Sequence, residues 1–222
     1  MQVATGKSIL NGIAIGKIKV YRAPRLDISD AMVEEVETEI ARFEAAREKA
    51  IAQQSTLYDK ALAEAGEENA AVFEIHGMML EDDDLIDAIH EIIQKQRKNA
   101  EYAVKTACDN QAKVFAAMED PYMNARKADI DDICHSMLDF LMGNDTGTLQ
   151  GTEPSILVAE DLAPSETVRL DKSLLLGFVT KEGSTNSHTA ILARSMNIPA
   201  LVQCEQVSED WDGRTAIIDG YN

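Results

Sequence analysis

A long stripe of apolar residues with helical spacing constrains the fold more than any other feature of this sequence. Between Ser29 and Gly66, nearly all the residues of the stripe are apolar and recur every three or four positions, and mostly charged residues occupy the other face. The stripe consists of Val33, Val36, Ile40, Phe43, Ala46, Ala50, Gln54, Leu57 and Ala61. Because proline is missing from Arg25 to Asp120, the pattern predicts one long helix that packs against others in a bundle.

Capping signals predict four more helices after Gly66. They extend from Glu67 to about Leu80, from the acidic run Asp82–Asp84 to near Lys98, from Asn99 to Met118, and from Asp120 and Pro121 to just before Gly143. The connections between them are short, which favours antiparallel neighbours.

The chain on either side of this helical stretch has a different pattern. Strands are predicted within Ser8–Tyr21 and at Ser155–Ala159, Leu174–Thr180, Ala200–Gln203 and Thr215–Asp219, with a short helix at Pro164–Leu170. Alternating strands and helices indicate an α/β sandwich whose sheet is completed by the N-terminal strands. We therefore expect a discontinuous α/β domain of residues 1–24 and 144–222, with an inserted all-α helical bundle of residues 25–143.

One histidine in the second part of the α/β domain lies in a setting that suits an anion. Ser187 fits the N-cap of a helix that Asn197 and Pro199 end, so His188 would lie in its first turn, near unpaired backbone N–H groups and the positive end of the dipole. The preceding Gly183–Asn186 segment offers small donors and residues that tolerate positive φ angles. It follows a predicted strand at the edge of the sheet where ligands usually bind. A neutral imidazole there could accept a phosphoryl group, although an ordinary, partly exposed histidine would fit the same pattern.

Composition and spacing exclude several other classes. The formal net charge of -18 argues against nucleic acid and anionic membranes as partners. The sequence has neither an apolar run long enough to span a membrane nor an export signal. Its three cysteines, Cys108, Cys134 and Cys204, indicate reduced thiols in the cytoplasm. The four histidines lack the spacing of metal ligands, and neither a P-loop nor a Gly-x-Ser-x-Gly hydrolase motif is complete.

A second informative patch lies in the bundle, between Glu67 and Asp87. It is rich in Asp and Glu and contains no Lys or Arg, and interleaved with the acidic residues are Phe73, Ile75, His76, Met78, Met79 and Leu80. Such a stretch is either a solvated helix face or a surface that attracts a basic protein partner and then packs against it.

Both patches resemble known motifs. The run from Gly183 to Ala200 is similar to the phosphohistidine signature of the phosphoenolpyruvate-utilising enzymes, with Ser184 in place of a second glycine and Asn186 in place of a threonine. The Gly66–Leu85 segment resembles the carrier-docking helices of one of these families, Enzyme I of the bacterial sugar phosphotransferase system. Further similarity lies in Gly12–Lys17, Arg126–Ile133 and Leu162–Thr167.

This resemblance implies a function and a set of site residues. In the family, a histidine corresponding to His188 takes phosphate derived from phosphoenolpyruvate and passes it to the carrier HPr, and a threonine corresponding to Thr167 hydrogen-bonds the unphosphorylated histidine. The implied phosphoryl loop consists of Gly183, Ser184, Thr185, Asn186, Ser187, Thr189 and Arg194. The implied HPr-binding residues are Glu67, Glu68, His76, Met78, Met79, Asp82, Asp83, Asp84 and Arg126.

The resemblance also implies what lies elsewhere in a full-length family member. Its C-terminal domain binds phosphoenolpyruvate and magnesium and forms the dimer, so we expect this chain to be a cytoplasmic phosphotransferase portion without a cofactor or metal of its own. Two alternatives stay open: the phosphohistidine domain of a pyruvate phosphate dikinase type of enzyme, and a non-enzymatic acidic docking module.

Overall fold

The structure, a computed structural model, describes residues 3–22, 26–144, 152–184 and 187–221. Within these ranges, five side chains lie outside the description: those of Pro121, Tyr122, Ala125, His188 and Leu192.

The chain divides into two compact units. The first comprises Met1–Pro24, Ala63–Asn69 and Gly147–Asn222, and the second comprises Arg25–Leu62 and Ala70–Thr146. The division differs from the expected boundaries in two respects: the Ala63–Asn69 segment groups with the α/β unit, and the second unit ends at Thr146 instead of Gly143. An ion pair joins this segment to the rest of the α/β unit, because Lys172 Nζ lies 3.1 Å from Glu64 Oε2.

A mixed sheet forms the centre of the first unit. Its strands are β1 (Lys7–Leu10), β2 (Ile13–Val20), β3 (Ser155–Ala159), β4 (Leu175–Thr180), β5 (Ala200–Val202) and β6 (Thr215–Asp219), in the order β1-β5-β4-β3-β2-β6. The four central strands β5, β4, β3 and β2 pair in parallel, while β1 and β6 pair antiparallel at the edges. The prediction that the N-terminal strands complete the sheet is confirmed.

Both faces of the sheet are covered, as the burial of every residue of β3 requires. One face carries Leu157, Ala159 and Phe178 and packs with Ala193 and Met196 of helix α7 (His188–Met196). The other face carries Ile156, Val158 and Ile218. Helix α6 (Pro164–Arg169) lies between β3 and β4 in the sequence, and short 3₁₀ turns occur at Lys172–Leu174 and Glu209–Trp211.

A series of helices lies between β2 and β3, and all but the first begin and end close to the predicted positions. They are α1 (Val36–Ala65), α2 (Glu67–Leu80), α3 (Asp83–Gln96), α4 (Ala100–Ala116) and α5 (Pro121–Met142). The side chains of Asp82 and Asn99 accept hydrogen bonds from the backbone N–H groups of Leu85 and Tyr102, at 3.0 and 3.1 Å, so both predicted N-caps are confirmed. A single apolar core joins the helices and is centred on Phe43, Ile89, Ile93, Ile130, Ile133 and Leu138.

The predicted start of the first helix was wrong by seven residues. The chain before Val36 pairs with the α3–α4 connection instead: Val33 N–H donates to Arg97 O at 2.8 Å, and Asn99 N–H donates to Ala31 O at 3.1 Å. The Arg97 guanidinium also donates to Glu34 O at 2.6 Å. Because these bonds already use the backbone, tertiary pairing overrides the local preference for helix.

Candidate functional site

The backbone around the histidine has the predicted arrangement of strand, loop and helix. Strand β4 ends at Thr180 and α7 begins at His188, with Ser187 as N-cap. The Ser187 hydroxyl accepts from Ala190 N–H at 3.3 Å and donates to Ser184 O at 2.9 Å. His188 is therefore the first helical residue, where backbone N–H groups lack intrahelical partners and the dipole is positive. Its side chain, and the predicted loop residues Thr185 and Asn186, lie outside the described part of the chain.

Polar side chains from three segments surround the start of the loop. Gly183 has a φ of +96°, which favours glycine, and a Cβ built there would lie 3.6 Å from Asp161 Oδ1 and Thr180 Oγ1 and 3.7 Å from Ser187 Oγ. Gln203 Nε2 donates to Gly183 O at 3.0 Å. The sequence pointed to Gly183 and Ser187 but missed Asp161 and Gln203. For Asp161 a signal existed, because it follows β3 at the sheet edge where the loop after β4 also starts.

The charge of Asp161 is unfavourable in this position. Asp161 is exposed as a residue, but partial burial of its carboxyl raises the pKa and the nearby charge of Glu182 raises it further, while the hydrogen bond from Leu162 N–H opposes both effects. An additional anion at the loop would act in the same direction as Glu182. Donors from the loop and from α7 would have to compensate for that repulsion.

Two threonines of the predicted site are buried, and their hydroxyl groups bond to backbone. Thr189 is 1% exposed, and its hydroxyl donates to Leu162 O at 3.3 Å, which links the first turn of α7 to the chain after β3. The Thr167 hydroxyl donates to Pro164 O at 2.7 Å within α6. Arg194 and Ser184 are exposed. The roles that the resemblance implies for these four residues stay predictions.

Most of the predicted docking residues lie on the surface. Glu67, Glu68, Asp83 and Asp84 are exposed, and Met78 is 61% exposed. Asp82 is exposed but also caps α3, and Met79 is partly buried against the bundle core.

His76 is the member of the predicted docking set that the structure buries, with an exposure of 0%. Its role in partner binding, which the resemblance implies, stays a prediction. The sequence did not reveal that His76 is buried. Helix α2 has polar residues on several sides, so its sequence pattern indicates no single buried face.

His76 instead belongs to a charged network between α2 and α5. Its Nε2 lies 3.2 Å from Asp129 Oδ1, its Nδ1 lies 3.7 Å from Asp132 Oδ2, and Arg126 Nη1 donates to Asp129 Oδ2 at 2.9 Å. Burial alone would raise the pKa of Asp129, but the bonds and charges of His76 and Arg126 outweigh it and lower that pKa. His76 thus helps to hold the carboxylate that orients Arg126.

The described residues lack the features of a membrane span and of a metal site. None of their helices is long and apolar enough to cross a membrane. No group of three or more His, Cys, Asp or Glu side chains among them could hold a metal ion.

Comparison with known proteins assigns the class. The family described as PEP-utilising enzyme, N-terminal, matches residues 5–126, and the PEP-utilising enzyme, mobile domain, matches residues 151–222. The chain belongs to the phosphoenolpyruvate-utilising enzymes.

Individual relatives narrow the class. The chain is 39% identical over 219 residues to a phosphoenolpyruvate-protein phosphotransferase of Geobacillus stearothermophilus, covering 98% of this chain and 38% of the relative. It is 35% identical over 205 residues to the phosphoenolpyruvate-protein phosphotransferase of Mycoplasma capricolum, and the match covers 92% of this chain and 36% of the relative. A solution structure of Enzyme I is similar with a TM-score of 0.79 and 33% identity, covering 99% of this chain and 90% of that one. An N-terminal domain of Enzyme 1 - Nitrogen has a TM-score of 0.70 and 27% identity, covering 99% and 91%.

These matches place the chain in the Enzyme I family and correspond to its N-terminal part. The predicted fold class, an α/β domain with an inserted helical bundle, is confirmed. The chain spans 36% to 38% of the length of these two curated relatives. Both bear the name of a phosphotransferase, which favours that function over the dikinase alternative.

Proposed function

We propose that this chain is the phosphoryl-transfer portion of a phosphoenolpyruvate-protein phosphotransferase. His188 accepts a phosphoryl group that originates from phosphoenolpyruvate and passes it to a histidine of the carrier HPr, in support of sugar uptake. One observation carries the proposal: the only histidine of the α/β unit is the first residue of α7, directly after the Ser187 cap and the carboxyl end of β4.

The backbone around His188 suits this chemistry. A helix N-terminus stabilises the negative oxygens of a transferring phosphoryl group and disfavours the imidazolium form of a nearby histidine. In transfer to the carrier, a neutral ring nitrogen of the HPr histidine attacks phosphorus, and its N–P bond forms as the N–P bond to His188 breaks; the reverse reaction exchanges the two roles. Because donor and acceptor are both imidazoles, the protein has mainly to position them in line and to stabilise the equatorial oxygens.

Exposed residues of helices α2 and α3 form the proposed docking surface for HPr. We define this acidic face as Glu67, Glu68, Met78, Asp83 and Asp84. With a net charge of -18, the chain favours a basic partner, and the exposed Met78 side chain supplies apolar contact area. Arg126, held by Asp129, is the proposed cationic contact.

The binding of the original phosphate donor belongs to the rest of a full-length protein. We propose that phosphoenolpyruvate, magnesium and the dimer contacts involve a C-terminal domain of such a protein, and that this chain itself uses no metal. A cytoplasmic site of action agrees with three cysteines, Cys108, Cys134 and Cys204, that are all free thiols.

Incubation with phosphorylated HPr tests the proposal. The chain should acquire one acid-labile, base-stable phosphoryl group, and His188→Ala should abolish it without changing the circular dichroism spectrum. His135→Ala is the matched control, because His135 is an exposed histidine of the bundle and should leave labelling unchanged. Label on another histidine, or an acid-stable phosphoserine at Ser187, would contradict the assignment.

A further inference from the structure

Gln203 has a backbone conformation that its residue type disfavours. Its φ is 57°, in the left-handed region, immediately after β5. Residues other than glycine, asparagine and aspartate seldom adopt this region, because Cβ comes too close to the following carbonyl oxygen. Such conformations persist where the surrounding structure holds them in place, and they are frequent at functional sites.

Neighbouring strands and loops hold Gln203 in this conformation. Cys204 N–H donates to Thr180 O at 3.0 Å, so the backbone after Gln203 is bonded to the end of β4. On another side, Gly6 packs so closely that a Cβ there would lie 2.8 Å from Val202 O and 3.3 Å from Cys204 Cβ. These contacts fix both residues that flank Gln203.

The conformation directs the Gln203 side chain to the start of the phosphoryl loop. Its Nε2 donates to Gly183 O at 3.0 Å, although Gln203 itself is exposed. Peptide groups are planar, so a hydrogen bond that orients the Gly183 carbonyl also orients the Ser184 N–H, which points the opposite way from the same peptide group. Beside a glycine at φ +96°, a peptide group that lacks such a bond rotates easily.

We propose that Gln203 is a positioning residue for phosphoryl transfer. Its side-chain amide holds the Gly183–Ser184 peptide group in one orientation. The Ser184 N–H therefore keeps a fixed direction within the phosphoryl loop. At its other end the loop is held independently, by the bonds from Ser187 N–H and Ser187 Oγ to Ser184 O, at 3.1 and 2.9 Å. This inference rests on the proposed function of His188, and it assigns a role to a residue outside the loop and outside α7.

Two substitutions of Gln203 separate this role from a purely structural one. Gln203→Gly removes the donor but suits the left-handed backbone, so the melting temperature should stay the same or rise. Gln203→Glu keeps the size but replaces the donating amide with a carboxylate that faces a carbonyl oxygen. Both should slow single-turnover transfer from phosphorylated HPr about fivefold, as expected for the loss of one hydrogen bond, while the dissociation constant for HPr stays the same.

The matched control is Gln206→Glu in the same segment. The Gln206 Oε1 atom accepts from Thr5 N–H at 3.3 Å, and a carboxylate oxygen can replace it, so this variant should transfer at the wild-type rate. The backbone resonances of Gly183 and Ser184 give a readout that does not depend on transfer. They should shift in Gln203→Gly and Gln203→Glu but not in Gln206→Glu.

The two proposals fail in different ways. Wild-type protein that takes no label from phosphorylated HPr would contradict the proposed function, whatever the Gln203 variants do. Wild-type protein that is labelled at the same rate as Gln203→Gly and Gln203→Glu would overturn the role of Gln203. The same conclusion would follow from slower transfer that is accompanied by a lower melting temperature and unshifted Gly183 and Ser184 resonances.

Discussion

At the scale of single residues, two carboxylates, one on the buried Asp129 and one on the exposed Asp161, have opposite electrostatic environments. Asp129 has a lowered pKa because His76 and Arg126 outweigh its burial, whereas Asp161 has a raised pKa because burial and Glu182 act together. Ionised Asp129 therefore stabilises the folded protein, and ionised Asp161 destabilises it.

The pH dependence of stability should reflect this difference. Asp129→Asn should destabilise the bundle by about 2 kcal/mol at pH 7, the size of a lost hydrogen bond to a charged group, and the effect should shrink below about pH 4 as the wild-type carboxyl protonates. Asp161→Asn keeps an acceptor for Leu162 N–H and should stabilise the α/β unit slightly at pH 7. That gain should also vanish in acid, because the penalty in the wild type disappears once Asp161 is protonated.

Urea unfolding at neutral and acidic pH checks both signs. Trp211, the single tryptophan, reports on the α/β unit by fluorescence, and the helical circular dichroism signal reports mainly on the bundle. Equal shifts of the same sign in the two variants would contradict the electrostatic account.

Residue-level prediction from sequence succeeded where the chemistry is local and failed where it is not. Ser187, Asp82 and Asn99 were identified as caps because a cap bonds to backbone two or three residues away. Gln203 lies 20 residues after its partner Gly183, and His76 lies 53 residues before Asp129. Neither contact leaves a pattern in the sequence.

At the scale of elements, the acidic face makes association with a basic partner sensitive to salt. Exposed charges attract over a Debye length, which shrinks from about 10 Å at 0.1 M salt to about 3 Å at 1 M. Reversal of Glu67, Glu68 and Asp84 to lysine should slow HPr association about tenfold at low salt and remove most of its salt dependence, because steering acts on the association rate. Stopped-flow measurements across a salt series provide the test.

The control for this reversal makes the same change of net charge on another helix. Glu37, Glu48 and Asp59 are exposed carboxylates of α1, and their reversal to lysine should slow association much less. If both triple variants slowed association equally, the net charge and not the acidic face would direct the encounter.

Helix and strand positions were mostly predictable from periodicity, and the exceptions have physical causes. The bounds of α2, β3 and β6 agree with the predicted bounds, because caps and glycines limit these elements locally. The region before Val36 has a helical pattern but pairs with Arg97 and Asn99, which are distant in sequence. The stripe of α1 also omitted Glu39, which is buried because it accepts from Ala100 N–H at 2.7 Å and pairs with Arg42.

At the scale of the whole molecule, the sequence predicted that segments far apart would share one sheet but did not predict the order of the strands. The order β1-β5-β4-β3-β2-β6 places β1 and β2, which adjoin in sequence, four strands apart. Strand order depends on which long-range pairings cover both faces of the sheet, and alternation within one strand does not encode it.

The last prediction concerns what this 222-residue chain can exchange phosphate with. Transfer between two histidines requires approach in line and donors around the phosphoryl oxygens, for which the N-terminus of α7 is suited. Phosphoenolpyruvate has both a carboxylate and a phosphate, so a donor site for it requires a cationic pocket and a divalent metal. In the proposed function, that site belongs to a C-terminal domain of a full-length protein. We therefore expect the chain to exchange phosphate reversibly with HPr when magnesium is chelated, and to stay unlabelled during long incubation with phosphoenolpyruvate and magnesium.

Autoradiography of the chain after incubation with labelled phosphate donors measures both reactions. A separately produced C-terminal portion of a relative, added to the chain, should restore slow labelling by phosphoenolpyruvate. The reason is that tethering of the two portions mainly raises their effective concentration. Rapid stoichiometric labelling of the chain alone by phosphoenolpyruvate would mean that the donor site lies within these 222 residues.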